Sequence, residues 1–93
     1  MLIPRRELGV QIRLAENPGS VKAHADVTLT FSDGELQLIG FAVIEHPGKD
    51  LFVGFPANRG RDRYFPVVAA DGDLRNEIIG EIVRAYKEER ERK

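Results

Sequence analysis

The residues best suited to chemistry lie in one stretch, Phe55-Pro56-Ala57-Asn58-Arg59-Gly60-Arg61-Asp62-Arg63-Tyr64-Phe65-Pro66. Arg59, Arg61 and Arg63 are spaced by single residues, with Asp62 among them and aromatic rings at both ends. A guanidinium presents a planar fork of donors that matches two phosphate oxygens at once. Neighbouring rings can stack on unpaired bases, which gives Tyr64 a role, and the amide of Asn58 has the donor and acceptor needed to read adenine. This spacing suits polyanion binding. The competing reading is a solvated loop in which Arg61 or Arg63 pairs with Asp62 or with a helix carboxylate.

The other reactive types do not assemble into a catalytic centre. No cysteine is present, so disulfides, thiolate metal sites and cysteine nucleophiles drop out, and a reducing compartment is the easier fit. The sequence carries no Gly-rich phosphate loop, no His-Glu-x-x-His and no Gly-x-Ser-x-Gly. His24 shares a strand face with Asp26, a spacing open to two metal ligands, yet the polar face of a hairpin explains both. Ser20 and Ser32 sit in turns, where serine is routine, and neither adjoins a base in sequence. The expectation is a non-enzyme with no metal, no cofactor and no small-molecule substrate.

The elements that must position the arginines follow from periodicity. From Val21 to Phe31 the odd positions are apolar and the even ones (Lys22, His24, Asp26, Thr28, Thr30) polar, the mark of a half-buried antiparallel strand. Val10, Ile12 and Leu14 alternate in the same way before it. Asn17-Pro18-Gly19-Ser20 links the two as a turn. Ser32-Asp33-Gly34-Glu35 contains Asp-Gly, a favoured two-residue hairpin pair. Leu36 to Ile44 is apolar at nearly every position, which predicts a strand covered on both faces, and Gly40 within it marks a bulge or a close backbone approach. His46 to Asp50 turns the chain into a strand at Leu51–Phe55. A last short strand, Tyr64 to Val68, holds Pro66 and so belongs at an edge.

At Asp71-Gly72-Asp73 the period changes. Leu74, Ile78, Ile82 and Tyr86 recur every four residues, with Ile79 and Val83 beside them, as on one stripe of a helix. Asp73 is the expected N-cap. The stripe ends at Tyr86, and Lys87 to Lys93 is a solvated helix end with Glu88–Arg92 and Glu89–Lys93 at i, i+4 spacing. The predicted architecture is α+β: a small antiparallel meander of four to five strands with one C-terminal amphipathic helix packed on it.

At 93 residues the chain makes one domain with a thin core. No apolar run reaches the 18 or so residues of a membrane span, and the opening Met1-Leu2-Ile3-Pro4-Arg5-Arg6 has the reverse order of a secretory signal. The expected location is the cytoplasm. The 14 lysines and arginines nearly cancel the 15 aspartates and glutamates, for a net charge of −1. A polyanion site must therefore come from local clustering, not from the overall field.

The order of segments resembles the SpoVG family of septation and sporulation regulators. Val10-Gln11-Ile12-Arg13 looks like that family's opening strand, and Val21-Lys22-Ala23 with Val27-Thr28-Leu29-Thr30-Phe31 like its second. Leu51-Phe52-Val53-Gly54-Phe55-Pro56-Ala57 is similar to its most distinctive run. Arg59, Arg61-Asp62 and Pro66 fall where the family has a basic residue, an Arg-Asp pair and a proline, and Ile78, Ile82, Val83 and Tyr86 match its final helix. The resemblance covers about residues 8 to 91. It implies a homodimeric, non-enzymatic regulator that binds DNA and RNA, with Arg59 and Arg61 at the loop's basic positions and Arg75 at the opening of the helix. Two departures stand out: only Gly60 separates Arg59 from Arg61, where the family has a longer loop, and Arg75 is alone where members have two or three basic residues. Fewer cations displace fewer counterions.

Two functions are thus in play. The first is a dimeric nucleic-acid-binding regulator with Arg59, Arg61, Arg63 and Arg75 on phosphates and Asn58 and Tyr64 toward bases. The alternative is a protein–protein interaction module that docks through a sheet edge or a helix face.

Overall fold

The computed structural model describes residues 7–16 and 19–92, with Arg59 described by its backbone alone. Six strands precede one helix: β1 (Glu7–Leu14), β2 (Val21–Phe31), β3 (Gly34–Ile44), β4 (Phe52–Gly54), β5 (Ala57–Arg59), β6 (Tyr64–Pro66) and α1 (Gly72–Glu91). Strands β1 to β4 form an antiparallel meander in chain order, and β5 and β6 pair as a separate two-stranded hairpin. The fold is α+β, a four-stranded antiparallel sheet with one C-terminal helix packed on it.

The alternation along β2 decides which face is core. Ala23, Ala25, Val27 and Leu29 are buried, and opposite them lie Val43, Phe41, Leu38 and Leu36 of β3. Ala25 is small, which leaves room for the ring of its cross-strand partner Phe41. On the other side Leu8, Val10 and Ile12 of β1 pair with Leu29, Val27 and Ala25 and are partly buried. Helix α1 lies closest to β1 and closes the core with Ile78, Ile82 and Tyr86. Each of these side chains gains roughly 1.5–3 kcal/mol by leaving water. Phe55 adds an edge-to-face contact with Phe41, ring centroids 4.9 Å apart.

Two turns are built by the residue types that signalled them. At His46-Pro47-Gly48-Lys49 the Lys49 N–H donates to the His46 carbonyl at 3.1 Å, with Gly48 at φ 75°; proline at i+1 and glycine at i+2 are the needs of a type II turn. Gly40 is a bulge: the register slips between Ala25 and Asp26, and Gly40 has φ 103°. Its N–H donates to Asp26 Oδ1 at 3.3 Å. Pro56 lies on the side where a Cβ would project, at 4.0 Å, so the expected close approach is also present.

The structure corrects four expectations. Strand β3 is not covered on both faces: Phe41 and Val43 are buried, but Ile39, the partner of Asp26 on the opposite face, is exposed, because the single helix covers one side only. The β2–β3 turn residues are Ser32 and Asp33, and Gly34 already pairs with Phe31 as the first residue of β3. The N-cap is Asp71, not Asp73. Gly72, at φ 61°, swings the chain from extended Asp71 into the helix, and Asp73 sits in the first turn, where its charge opposes the helix dipole's positive end. At the far end Glu88 pairs with Arg84 and not with Arg92, which meets Glu89 at 3.5 Å. Asn17 and Pro18 of the first turn, and Lys93, lie outside the described residues.

Candidate nucleic-acid interface

The arginine stretch, read from sequence as a loop between strands, is a β-hairpin. Ala57, Asn58 and Arg59 pair with Pro66, Phe65 and Tyr64. The turn runs from Gly60 to Arg63, closed by the Gly60 N–H donating to the Arg63 carbonyl at 2.7 Å. Pro66 has no N–H to give, so the anchor passes to the next residues: the amides of Val67 and Val68 both donate to the Pro56 carbonyl, at 3.0 and 3.2 Å. Pro56 is buried, against Gly40 of the main sheet. The hairpin therefore projects from a fixed base.

Arg61, Asp62, Arg63 and Tyr64 are all exposed on it. Among the described residues no carboxylate forms an ion pair with Arg61 or Arg63, so the neutralised-loop reading does not hold for them. Arg63 is braced differently. Its guanidinium lies over the Phe65 ring, 5.0 Å from the centroid, a contact that holds the planar group while leaving its donor edge free. Asn58 is exposed one residue before Arg59, whose side chain lies outside the described residues.

Arg75 does not join the tip of the hairpin. It stands at the start of α1 with its guanidinium 5.5 Å from the centre of the Phe55 ring. It lines a groove of about 270 Å³ with Phe52, Phe55, Pro66 and Val68. Pro66 belongs to β6, so Arg75 adjoins the hairpin at its base. Arg75 thus stands apart from Arg61 and Arg63, on a different depression of the surface.

Sequence reading missed three features. Phe65 was noted only as a flanking ring, and its pairing with Arg63 depends on a hairpin register that no local pattern shows. Phe52 is exposed on the helix-free face of the sheet, where it helps line a trough of about 600 Å³ with Gly40, Ala42, Ile44, Gly54 and Tyr64. The alternation that puts Ala42, Ile44 and Phe52 on that face is hidden because their neighbours are apolar too. Third, Ser20 Oγ lies 3.1 Å from His46 Nδ1 across two turns far apart in sequence. Both residues are exposed, which gives the pair none of the water exclusion a nucleophile needs.

The polar half of the same face is organised by Asp26. Arg13 donates through Nη1 to Asp26 Oδ2 and through Nη2 to Oδ1, the latter at 3.3 Å. The hydrogen bond from Arg13 holds the Asp26 carboxyl below the usual carboxylate range, outweighing the opposing effect of burial, and the Gly40 amide adds to it. His24, beside Asp26 on this face, belongs to no group of three metal-ligating side chains among the described residues.

Set against known proteins, the chain matches no family model, no curated protein and no solved structure.

Proposed function

We propose that this chain is a non-enzymatic DNA- or RNA-binding regulatory protein of the SpoVG type, acting as a cytoplasmic homodimer. The observation that carries this reading is the hairpin: Arg61 and Arg63 are cations without a carboxylate partner among the described residues, held on an anchored turn beside an exposed tyrosine. Guanidinium groups without internal partners keep their donors for an external anion, and phosphate is the anion their geometry fits.

Arg61 and Arg63 meet phosphates at the tip, and Arg75 extends the track at the base. Such contacts position a nucleic acid without reading it. Tyr64 stacks on a base and Asn58 reaches a base edge, which favours a strand with unpaired bases over a closed duplex. Support from outside the hairpin comes from the resemblance of segment order to septation and sporulation regulators. Binding of labelled single-stranded RNA and duplex DNA, followed by anisotropy with Arg61 and Arg63 changed to glutamate, tests the reading; loss of binding in that variant is the expected result.

A protein-docking role has its own observation in its favour, the uncovered apolar half of the sheet. That face is better assigned to a second copy of the same chain.

A further inference from the structure

The helix-free face of the sheet divides in two. On β1 and β2 it carries Gln11, Arg13, His24, Asp26 and Thr28; on β3 and β4 it carries Glu35 and Gln37 next to the β2–β3 turn, then Ile39, Ala42, Ile44, Phe52 and Gly54. From Ile39 onward the second half is apolar and open. Ile39 is 62% exposed, Phe52 58% and Tyr64, at the trough's rim, 66%. Contiguous exposed apolar surface of this kind marks an interaction site.

The amount of surface agrees. A compact monomer of 10.4 kDa should expose about 5,400 Å², and this chain exposes 7236 Å². Its radius of gyration is 14.4 Å, against about 12.3 Å for a compact domain of this length. The molecule is a slab with principal extents of 47 × 39 × 21 Å, one sheet thick with a helix on one side. Even half of the excess area, about 900 Å², matches the roughly 800 Å² per partner that a stable interface buries.

We propose that the occupant is a second copy of this chain, related by a two-fold axis, with β3 and β4 of the two protomers face to face. This deepens the homodimer reading above by naming its interface. Shape is the first argument. Ile44 and Phe52 are cross-strand partners and form a ridge, while their neighbours Ala42 and Gly54, also partners, form with Gly40 the floor of the trough. Ridge and hollow lie side by side on one patch, and a two-fold axis sets each ridge over the other copy's hollow. That is the self-complementarity an isologous contact requires.

Charge is the second. An unpaired charge close to the two-fold axis of a self-associating face would meet its own like. Here the ion pair on the polar half, Arg13 with Asp26, is already satisfied within the protomer. From Ile39 to Ile44 and across β4 the apolar half has no cation or carboxylate to offer a charged partner, and Glu35 lies at the far end of β3. Tyr64 belongs to both the trough and the arginine hairpin, so the contact carries two hairpins to the interface rim. A chain of net charge −1 thereby gathers two Arg61–Arg63 pairs along one edge.

Sedimentation velocity of the full chain over a concentration series tests this, with Phe52→Arg and Ile39→Lys as separate variants. Both positions are exposed in the protomer, and far-UV circular dichroism and melting confirm that each variant folds. Wild type should sediment at twice the chain mass and both variants at the chain mass, with dissociation constants raised at least tenfold. Wild type at the chain mass throughout would overturn the proposal and the homodimer with it. A wild-type dimer that both variants leave intact would overturn the interface alone. Arg61→Glu/Arg63→Glu should keep the dimer and lose oligonucleotide binding, which separates assembly from the nucleic-acid reading. A Phe52→Arg protein that stays dimeric but loses oligonucleotide would assign the trough to a base instead.

Discussion

The ring of Phe65 occupies the space that a side chain at Gly60 would need. A Cβ at position 60 would stand 2.2 Å from Phe65 Cε2 and 2.9 Å from the Arg63 carbonyl oxygen. That carbonyl accepts the hydrogen bond closing the turn, and that ring carries the Arg63 guanidinium. One missing side chain therefore permits the closed turn, the seated ring and the aimed arginine together. The short Arg59–Gly60–Arg61 spacing, which departs from the longer loop of the family it resembles, is compatible with a tight turn only because glycine stands there.

Gly60→Ala should consequently disturb the hairpin without unfolding the protein. The ring can rotate away, but the backbone carbonyl cannot. Affinity for single-stranded oligonucleotides is expected to fall several-fold, with far-UV circular dichroism unchanged. Anisotropy titration beside a circular dichroism spectrum checks both halves of this statement.

Gly40→Ala should act on the sheet. At φ 103° a side-chain-bearing residue is strained, at a cost of about 1–3 kcal/mol, even though Pro56 at 4.0 Å leaves room for a methyl group. The expected result is a lower midpoint in urea with an unchanged denaturant slope. If Gly40→Ala melted like wild type, the bulge would not be the conformation the chain holds in solution.

Ile82→Ala tests the helix–sheet contact. Ile82 is fully buried among the core residues, and truncations of this kind cost about 2–5 kcal/mol. In a domain of this size that is a large part of the total stability. Chemical denaturation should show the loss, whereas nucleic-acid affinity of the fraction still folded should be unaffected.

The Arg13–Asp26 pair sets an acid limb of stability. The folded carboxyl titrates below its unfolded value of about 3.9, chiefly because of the Arg13 hydrogen bond. Its contribution is therefore fully present above that unfolded value and is lost as pH falls through the lower folded value. Asp26→Asn should melt below wild type at neutral pH, and the two melting curves should converge as pH drops beneath 4. Parallel curves at all pH values would show that the pair adds nothing.

Much of the frame was legible in the residue pattern because β2 has one face in the core and one in water. Its alternation over Val21–Phe31 and the four-residue recurrence of Leu74, Ile78, Ile82 and Tyr86 each report a single covered side. The pattern misled in β3 for a physical reason. A strand apolar on both faces reads as buried on both, and only the arrangement of one helix leaves Ile39 and its neighbours uncovered. The helix start was misplaced because two aspartates flank Gly72, and the positive φ of that glycine is a feature of the fold. In the candidate site the cations were plain from composition, but Phe65 under Arg63, Phe55 under Arg75 and the remoteness of Arg75 from the hairpin tip depend on register and packing.

The most direct test of the central claim is anisotropy of a labelled single-stranded RNA titrated with the chain across a range of salt concentrations, wild type against Arg61→Glu/Arg63→Glu. Each phosphate contact on a single strand adds about 0.7 to the slope of log affinity against log salt. Wild type should bind with a steep salt dependence, and the variant should bind weakly with a slope flattened by roughly 1.4 or more. A variant that bound as tightly, with the same slope, would contradict the assignment of the hairpin as the phosphate-binding element.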